Sequence, residues 1–296
     1  MVRVIVNSGA KSMQDQASRD RLVQVLGEVL PDAQVHFSDD DHDISELVTR
    51  GMKDQPTLMV AGGGDGTVNA VASAIRDTSI LLGVLPLGTL NHFSRDLGIP
   101  DDIDAAIAVL RDGLPMAVDA AEVNGQLFVN NSGLGLYPDI VHQREARQRR
   151  GGSKWPAALM ATIRSLSRYR MLGVRIRTGD TTLLRRTPAL MIGNNEYTTE
   201  GMRGARRVSM SSGQLALYCP RAHGRLHLLW FSLRALLGSL RKTPEFETVL
   251  SDAITIESRR PHLRVAIDGE VSTMTTPLTF RALPGALRVL VPALVG

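Results

Sequence analysis

The chain has a single cysteine, Cys219, among its 296 residues. No intrachain disulfide framework can form, so a small scaffold stapled by disulfides is excluded. A reducing cytosol fits that composition. No window of about 18 uncharged apolar residues occurs, so no membrane-spanning helix is expected. Met1–Asn7 runs straight into a charged amphipathic stretch, and no secretory signal is expected. No internal repeat or low-complexity tract is evident. Two common phosphate-binding motifs are also missing. A Walker A loop needs G-K-[ST] after four free positions. The nearest approach, Gly9-Ala10-Lys11-Ser12, has Ala10 between glycine and lysine and reads as a turn between the first strand and the first helix. The dinucleotide fingerprint G-x-G-x-x-G fails as well, because counted from Gly62 or Gly64 its last position falls on Thr67 or Asn69.

What is present suits a globular protein: 43% of residues are hydrophobic and 22% charged, and the length allows two domains. Strand-like and helix-like segments alternate through residues 1–117. Strands are expected at 2–7, 33–37, 57–61 and 80–85, and helices at 12–29, 44–54, 67–76 and 103–111. That alternation implies a layered α/β domain with a mainly parallel sheet. Residues 118–285 change to short runs at 126–130, 173–178, 182–186, 189–192, 215–218, 253–257, 263–267 and 278–281, with helical insertions near 154–170 and 225–241. They imply a second, β-rich domain. The stretch 286–291 reads as one more strand, stopped by Pro292. Asn124-Gly125 is a type I′ hairpin signal.

The most informative run is Ala61-Gly62-Gly63-Gly64-Asp65-Gly66-Thr67-Val68-Asn69. It follows the apolar stretch 57–60 and precedes a helical pattern of Val68, Val71, Ala72 and Ile75. Strand, glycine-rich turn and helix form the geometry in which backbone N–H groups hold phosphate. A carboxylate beside phosphates repels them unless a cation lies between, so Asp65 suggests a Mg²⁺-bridged nucleotide and phosphoryl transfer.

Gly63-Gly64-Asp65-Gly66-Thr67 resembles a signature found in the diacylglycerol kinase catalytic-domain family of lipid kinases and in NAD kinases. A second run, Leu85-Pro86-Leu87-Gly88-Thr89-Leu90-Asn91-His92-Phe93-Ser94-Arg95-Asp96-Leu97-Gly98-Ile99-Pro100, is similar to the lipid-kinase pattern and separates the two. A third, Asp268-Gly269-Glu270, resembles the family's D-G-E element; read alone it is a hairpin turn between 263–267 and 278–281. The stretch 115–130 resembles the segment joining the family's two domains, with Asp119 at its second acidic position, though a strand-edge carboxylate reads equally well.

The resemblance implies an NAD-kinase-like α/β domain followed by a sandwich-like β domain, an active site in the cleft between them, and a tail, 286–296, that returns to the first domain. It implies ATP with Mg²⁺ as cofactor. Glu270 would be the base, with Asp65 and Asp119 as further catalytic carboxylates. Gly63, Gly64, Asp65, Gly66, Thr67, Asn69, Thr89 and Asn91 would hold the nucleotide, with Ser8 and Ser38 as further candidates at the ends of the first two strands. The implied activity is transfer of a γ-phosphate to a lipid hydroxyl, most simply that of diacylglycerol to give phosphatidic acid. A sphingoid base, another lipid alcohol or NAD remain alternative acceptors, and a non-catalytic nucleotide- or lipid-binding protein descended from a kinase remains a third reading.

The implied partner is a lipid substrate at the inner membrane surface of the cytoplasm, reached by peripheral association. Net charge is +4. The basic residues gather at Arg144, Arg147, Arg149, Arg150 and Lys154, at Arg203, Arg206 and Arg207, and at Arg259, Arg260 and Arg264. They read as solvated surface or as contacts to anionic lipid; no nucleic-acid-binding motif accompanies them. The segments 154–170 and 226–240 are amphipathic enough to lie at an interface or to pack on the second domain. A homodimer is left open.

Two positions depart from the family pattern. His92 stands where an aspartate is usual, and an imidazole brings no negative charge to a metal. Ser212 stands where the family's aspartate holds a structural Mg²⁺. A neutral hydroxyl is a poor ligand for a hard cation, so that second metal site is expected to be lost. A crystal structure grown with Mg²⁺ checks this: an ion about 2.0–2.1 Å from an oxygen of Ser212 would contradict it.

Overall fold

The computed structural model describes residues 1–39, 42–136, 171–198, 206–220 and 246–293. The chain divides into two compact units. The first takes Met1–Asn130, Met210–Gly213 and Leu283–Gly296; the second takes Asn131–Ser209 and Gln214–Ala282.

The first unit begins with β1 (Val2–Val6), α1 (Gln16–Val29), β2 (Ala33–Phe37), α2 (Ile44–Met52), β3 (Leu58–Gly63), α3 (Asp65–Ile75) and β4 (Leu81–Pro86). β1 pairs in parallel with β2 and β3, and β3 with β4. Every residue of β3 is buried, as expected of a parallel strand covered on both faces. Ile5, Met59, Val60 and Leu85 form the floor of the core. The helix expected over 12–29 is instead a 3₁₀ turn at Lys11–Met13 followed by α1. Its start is displaced because Asp15 caps it, accepting a hydrogen bond from the Ser18 N–H at 2.9 Å.

Two further helices follow, α4 (His92–Asp96) and α5 (Ile103–Asp112), then the hairpin of β5 (Leu114–Val123) and β6 (Gln126–Phe128). Asn124 and Gly125 at its turn have φ of +48° and +84°, the two left-handed positions a type I′ loop requires.

The elements with described bounds in the second unit are strands. Its strands are β7 (Asn131–Gly135), β8 (Leu172–Thr178), β9 (Thr181–Thr187), β10 (Ala189–Asn194), β11 (Leu215–Pro220), β12 (Phe246–Ser251), β13 (Ala253–Ser258), β14 (His262–Ile267), β15 (Glu270–Thr275) and the start of β16 (Leu278–Val291). One antiparallel sheet runs β12-β11-β10-β7-β14-β15. The other joins β9, β8, β13 and β16 by antiparallel pairs. β8 alternates strictly, with Leu172, Val174 and Ile176 buried and Arg175 and Arg177 exposed.

Three expectations need correction. The segments 278–281 and 286–291 are one strand, β16. Pro284 and Gly285 do not end it; they mark a change of partner, from β13 before them to β4 after them. Gly285, at φ +61°, supplies the kink. The Asp268-Gly269 turn closes on β15, with Ile267 opposite Glu270, and not on 278–281. The intervening edge strand has no apolar alternation to announce it. Arg207 belongs to no solvated cluster: it is buried, with its guanidinium 5.9 Å from the centre of the Tyr197 ring. The expected helical insertions at 154–170 and 225–241, and the basic residues Arg144, Arg147, Arg149, Arg150, Lys154 and Arg203, lie outside the described residues. Among the described residues no helix is long and apolar enough to cross a membrane.

Candidate functional site

Parallel register decides where the candidate residues leave the first unit. Val6 lies opposite Phe37 on one side and Gly62 on the other, and Gly63 lies opposite Pro86. Ser8, Ser38, the Gly64–Thr67 turn and the Gly88–Asn91 loop therefore depart from one edge, the carboxyl end of the sheet, where open α/β sheets bind ligands. Main-chain bonds hold them there. The N–H of Asn7 donates to Gly62 O at 2.8 Å and that of Ser38 to Val6 O at 2.8 Å. The N–H groups of Leu87 and Gly88 donate to Gly63 O at 3.1 and 3.2 Å, and that of Ser8 to the Ser38 hydroxyl at 3.0 Å.

β3 ends at Gly63, Gly64 caps the next helix without a side chain, and α3 starts at Asp65. The first intrahelical bond runs from Val68 N–H to Gly64 O at 3.1 Å. The N–H groups of Asp65, Gly66 and Thr67 precede it and have no partner within the helix, which makes this turn a donor cluster for an anion. A Cβ on Gly88 would lie 2.4 Å from Gly64 Cα, so two glycine loops touch through their main chains. Thr67 is only 4% exposed and its hydroxyl faces the protein, accepting from Asn7 Nδ2 at 3.4 Å. What Thr67 offers a ligand is its N–H.

Asp65 serves the protein itself. Its Oδ2 accepts from His92 N–H at 3.2 Å; its Oδ1 accepts from Phe93 N–H at 3.1 Å and from Asn130 Nδ2 at 3.0 Å. Asn91, in the left-handed region at φ +48°, is buried and donates through Nδ2 to Pro86 O at 3.1 Å and Gly88 O at 3.0 Å. Its amide shapes the loop. Thr89 stands exposed at the tip. Asn69 donates to Leu127 O at 3.0 Å and accepts from the Ser73 hydroxyl at 3.2 Å, tying α3 to β6.

Asp119 is 1% exposed on β5. Its Oδ2 accepts from Gly213 N–H at 2.7 Å and its Oδ1 from Gly285 N–H at 2.9 Å, while its own N–H donates to Met210 O at 2.8 Å. It pins the short segment carrying Ser212 and the kink of β16 to β5. In the second unit, Asp268 and Gly269 have φ of +46° and +95°, the type I′ pair again. Asp268 is clamped to β7: Oδ1 accepts from Asn131 N–H at 3.0 Å, and its N–H donates to Asn131 O at 2.9 Å. The clamp fixes the turn that presents Glu270, exposed at the first position of β15. Asn7 and Asn130 escaped the sequence reading. Their roles rest on bonds to residues 60 and 65 positions away, which leave no local pattern.

Residues 1–123 match the family model described as the diacylglycerol kinase catalytic domain, and residues 141–291 match the YegS C-terminal NAD kinase beta sandwich-like domain. A protein of Pseudomonas syringae pv. syringae named "Probable lipid kinase YegS-like" is 30% identical over 267 residues, covering 85% of this chain and 81% of that one. A diacylglycerol kinase of Staphylococcus epidermidis is 31% identical over 137 residues, covering 42% of this chain and 43% of its own length. The chain thus spans about half the length of some curated relatives it matches. The crystal structure of a diacylglycerol kinase from Bacillus anthracis superposes over 100% of this chain and 98% of that one, with a TM-score of 0.71 at 22% identity.

Two outcomes are expected from substitution here. Gly88→Ala forces its new methyl against the Gly64 backbone and should lower unfolding free energy by about 1–3 kcal/mol, read by thermal or denaturant melting. Asp119→Ala removes the buried acceptor of two N–H groups, on half-buried Gly213 and exposed Gly285, and should lower unfolding free energy by about 1–3 kcal/mol in all, read by denaturant titration.

Proposed function

Because the chain belongs to the diacylglycerol kinase catalytic-domain family of lipid kinases, we propose that it transfers the γ-phosphate of ATP to the hydroxyl of a membrane lipid, diacylglycerol being the simplest acceptor. The observation that carries this reading is the strand, glycine turn and helix at 58–75, whose unpaired N–H groups face the carboxyl edge of a parallel sheet. Those donors suit the charge that spreads over phosphoryl oxygens in a loose transition state.

The donor set fits a nucleotide's Mg²⁺ narrowly. A carboxylate has about four acceptor positions, and Asp65 uses three of them on His92, Phe93 and Asn130. One remains on Oδ2, enough for a water in the ion's shell, and Mg²⁺ commonly keeps several waters beside phosphate oxygens. When bound, the ion neutralises charge on the phosphates.

The chain's own residues do the rest. The N–H groups of Asp65, Gly66 and Thr67 bind and orient the phosphates. Glu270 takes the proton of the lipid hydroxyl as its oxygen forms a bond to the γ-phosphorus. The bond from that phosphorus to the bridging oxygen breaks, and ADP leaves with the electron pair. A carboxylate is base enough where little nucleophilic push is needed. The lipid acceptor implies peripheral association with the inner membrane surface of the cytoplasm. Exposed Arg259, Arg260 and Arg264 would favour it by about 1 kcal/mol each near anionic headgroups.

The test is transfer of labelled γ-phosphate from ATP into a total lipid extract, with wild type and Glu270→Gln side by side. Wild type should make a labelled lipid; the variant should be slower by about a hundredfold or more, with ATP affinity changed less than about twofold. Equal turnover removes Glu270 from its role. Labelled NADP from added NAD, with no labelled lipid, moves the acceptor to a soluble alcohol. ATP binding without any transfer makes the chain a binding protein.

A further inference from the structure

α4 has no cap of its own. Its N-cap residue, Asn91, is left-handed and makes no side-chain capping bond: Nδ2 donates to Pro86 O and Gly88 O, and Oδ1, the atom that could cap, is buried and accepts none of the helix N–H groups. The N–H groups at the first two positions of the helix, His92 and Phe93, are donors that a helix normally gives to a cap or to water. Both go to Asp65, 27 and 28 residues earlier in the chain. A helix of five residues does not persist on its own propensity. Asp65 therefore holds α4, and with it the loop that exposes Thr89, against the glycine turn. Asp65 is itself held: Asn130, 2% exposed, donates Nδ2 to Oδ1 at 3.0 Å. Asn130 follows β6 and belongs to the same unit.

We propose that Asp65 and Asn130 are a pair of positioning residues, and that the acidic member of the glycine turn contributes to phosphoryl transfer by latching α4 and the 88–91 loop. Asn130 orients the carboxylate; the carboxylate aligns the His92 and Phe93 backbone; that backbone sets where Thr89 stands beside the phosphates. Main-chain bonds to Gly63 O and the buried ring of Phe93 hold the body of the loop and helix, and the two Asp65 bonds add the alignment of the first turn of α4. This assignment rests on the kinase reading above and gives it a residue, Asn130, that carries no charge and no place in any phosphate motif.

The experiment uses the full-length chain with Asp65→Asn, Asn130→Ala and the double variant. Asp65→Asn is isosteric at a half-buried position, so it reports even where Asn130→Ala folds poorly. An amide at 65 puts an NH₂ against one of the N–H donors and breaks at least one bond of the latch. Amide hydrogen exchange at His92 and Phe93 is read first and needs no substrate; it should quicken by about tenfold or more in both single variants. Turnover should fall about ten- to a hundredfold in each, the double variant should be no slower than the worse single one, and half-saturating Mg²⁺ should move less than about twofold. Unchanged exchange at those two amides overturns the proposal. So does a many-fold rise in half-saturating Mg²⁺ for Asp65→Asn alone, which would make Asp65 a metal contact. Should wild type phosphorylate no lipid, the kinase reading fails while the exchange result still decides on the latch.

Discussion

The contact between Gly64 and Gly88 is the constraint that the rest of the first unit serves. Two loops leave neighbouring parallel strands and meet through their main chains, and a methyl group on Gly88 would clash with the Gly64 backbone. Everything around the meeting point keeps it closed. Gly63 O receives two N–H groups from the far loop, Asn91 holds that loop from within, and Asp65 reaches across to the helix beyond. Such packing leaves a run of main-chain donors in fixed directions, which flexible side chains could not provide at the same entropic cost.

The fold was largely legible because its main signals are local. Buried parallel strands read as apolar runs, and β3 is one without interruption. The Asn124-Gly125 turn announces itself in two letters. Signals fail where the cause lies far off in sequence. β15 is an edge strand whose residues need not alternate. β16 carries Pro284 and Gly285, ordinarily breakers, at the place where a strand exchanges one partner for another. α4 is too short to show a period and is held by a residue 27 positions away.

The same division runs through the candidate site. The glycine turn is visible in the sequence as a run of glycines, and at Gly63 a side chain would collide with Thr67. What the letters do not say is which atoms are already spoken for. Thr67, Asn69, Asn91 and Asp119 are polar residues whose side-chain oxygens or amides are engaged within the protein. The backbone of the turn, the tip at Thr89 and the exposed carboxylate of Glu270 are the parts still facing outward. A motif names residue types; burial and hydrogen bonding decide which of them meet a substrate.

The kinked last strand has a consequence for how the protein is made. The first unit is discontinuous: β4 lacks its outer neighbour until Arg288 and Val289 arrive, and Asp119 waits 166 residues for the N–H of Gly285. On the ribosome most of the first unit emerges before the second, yet it stays an unfinished sheet with an open edge and a buried-to-be carboxylate until residues 285–289 have been synthesised. Open strand edges invite wrong pairing. The order of synthesis therefore makes the second unit, complete by Ala282, the half that can close first, and the unit that comes first in sequence the last to finish folding.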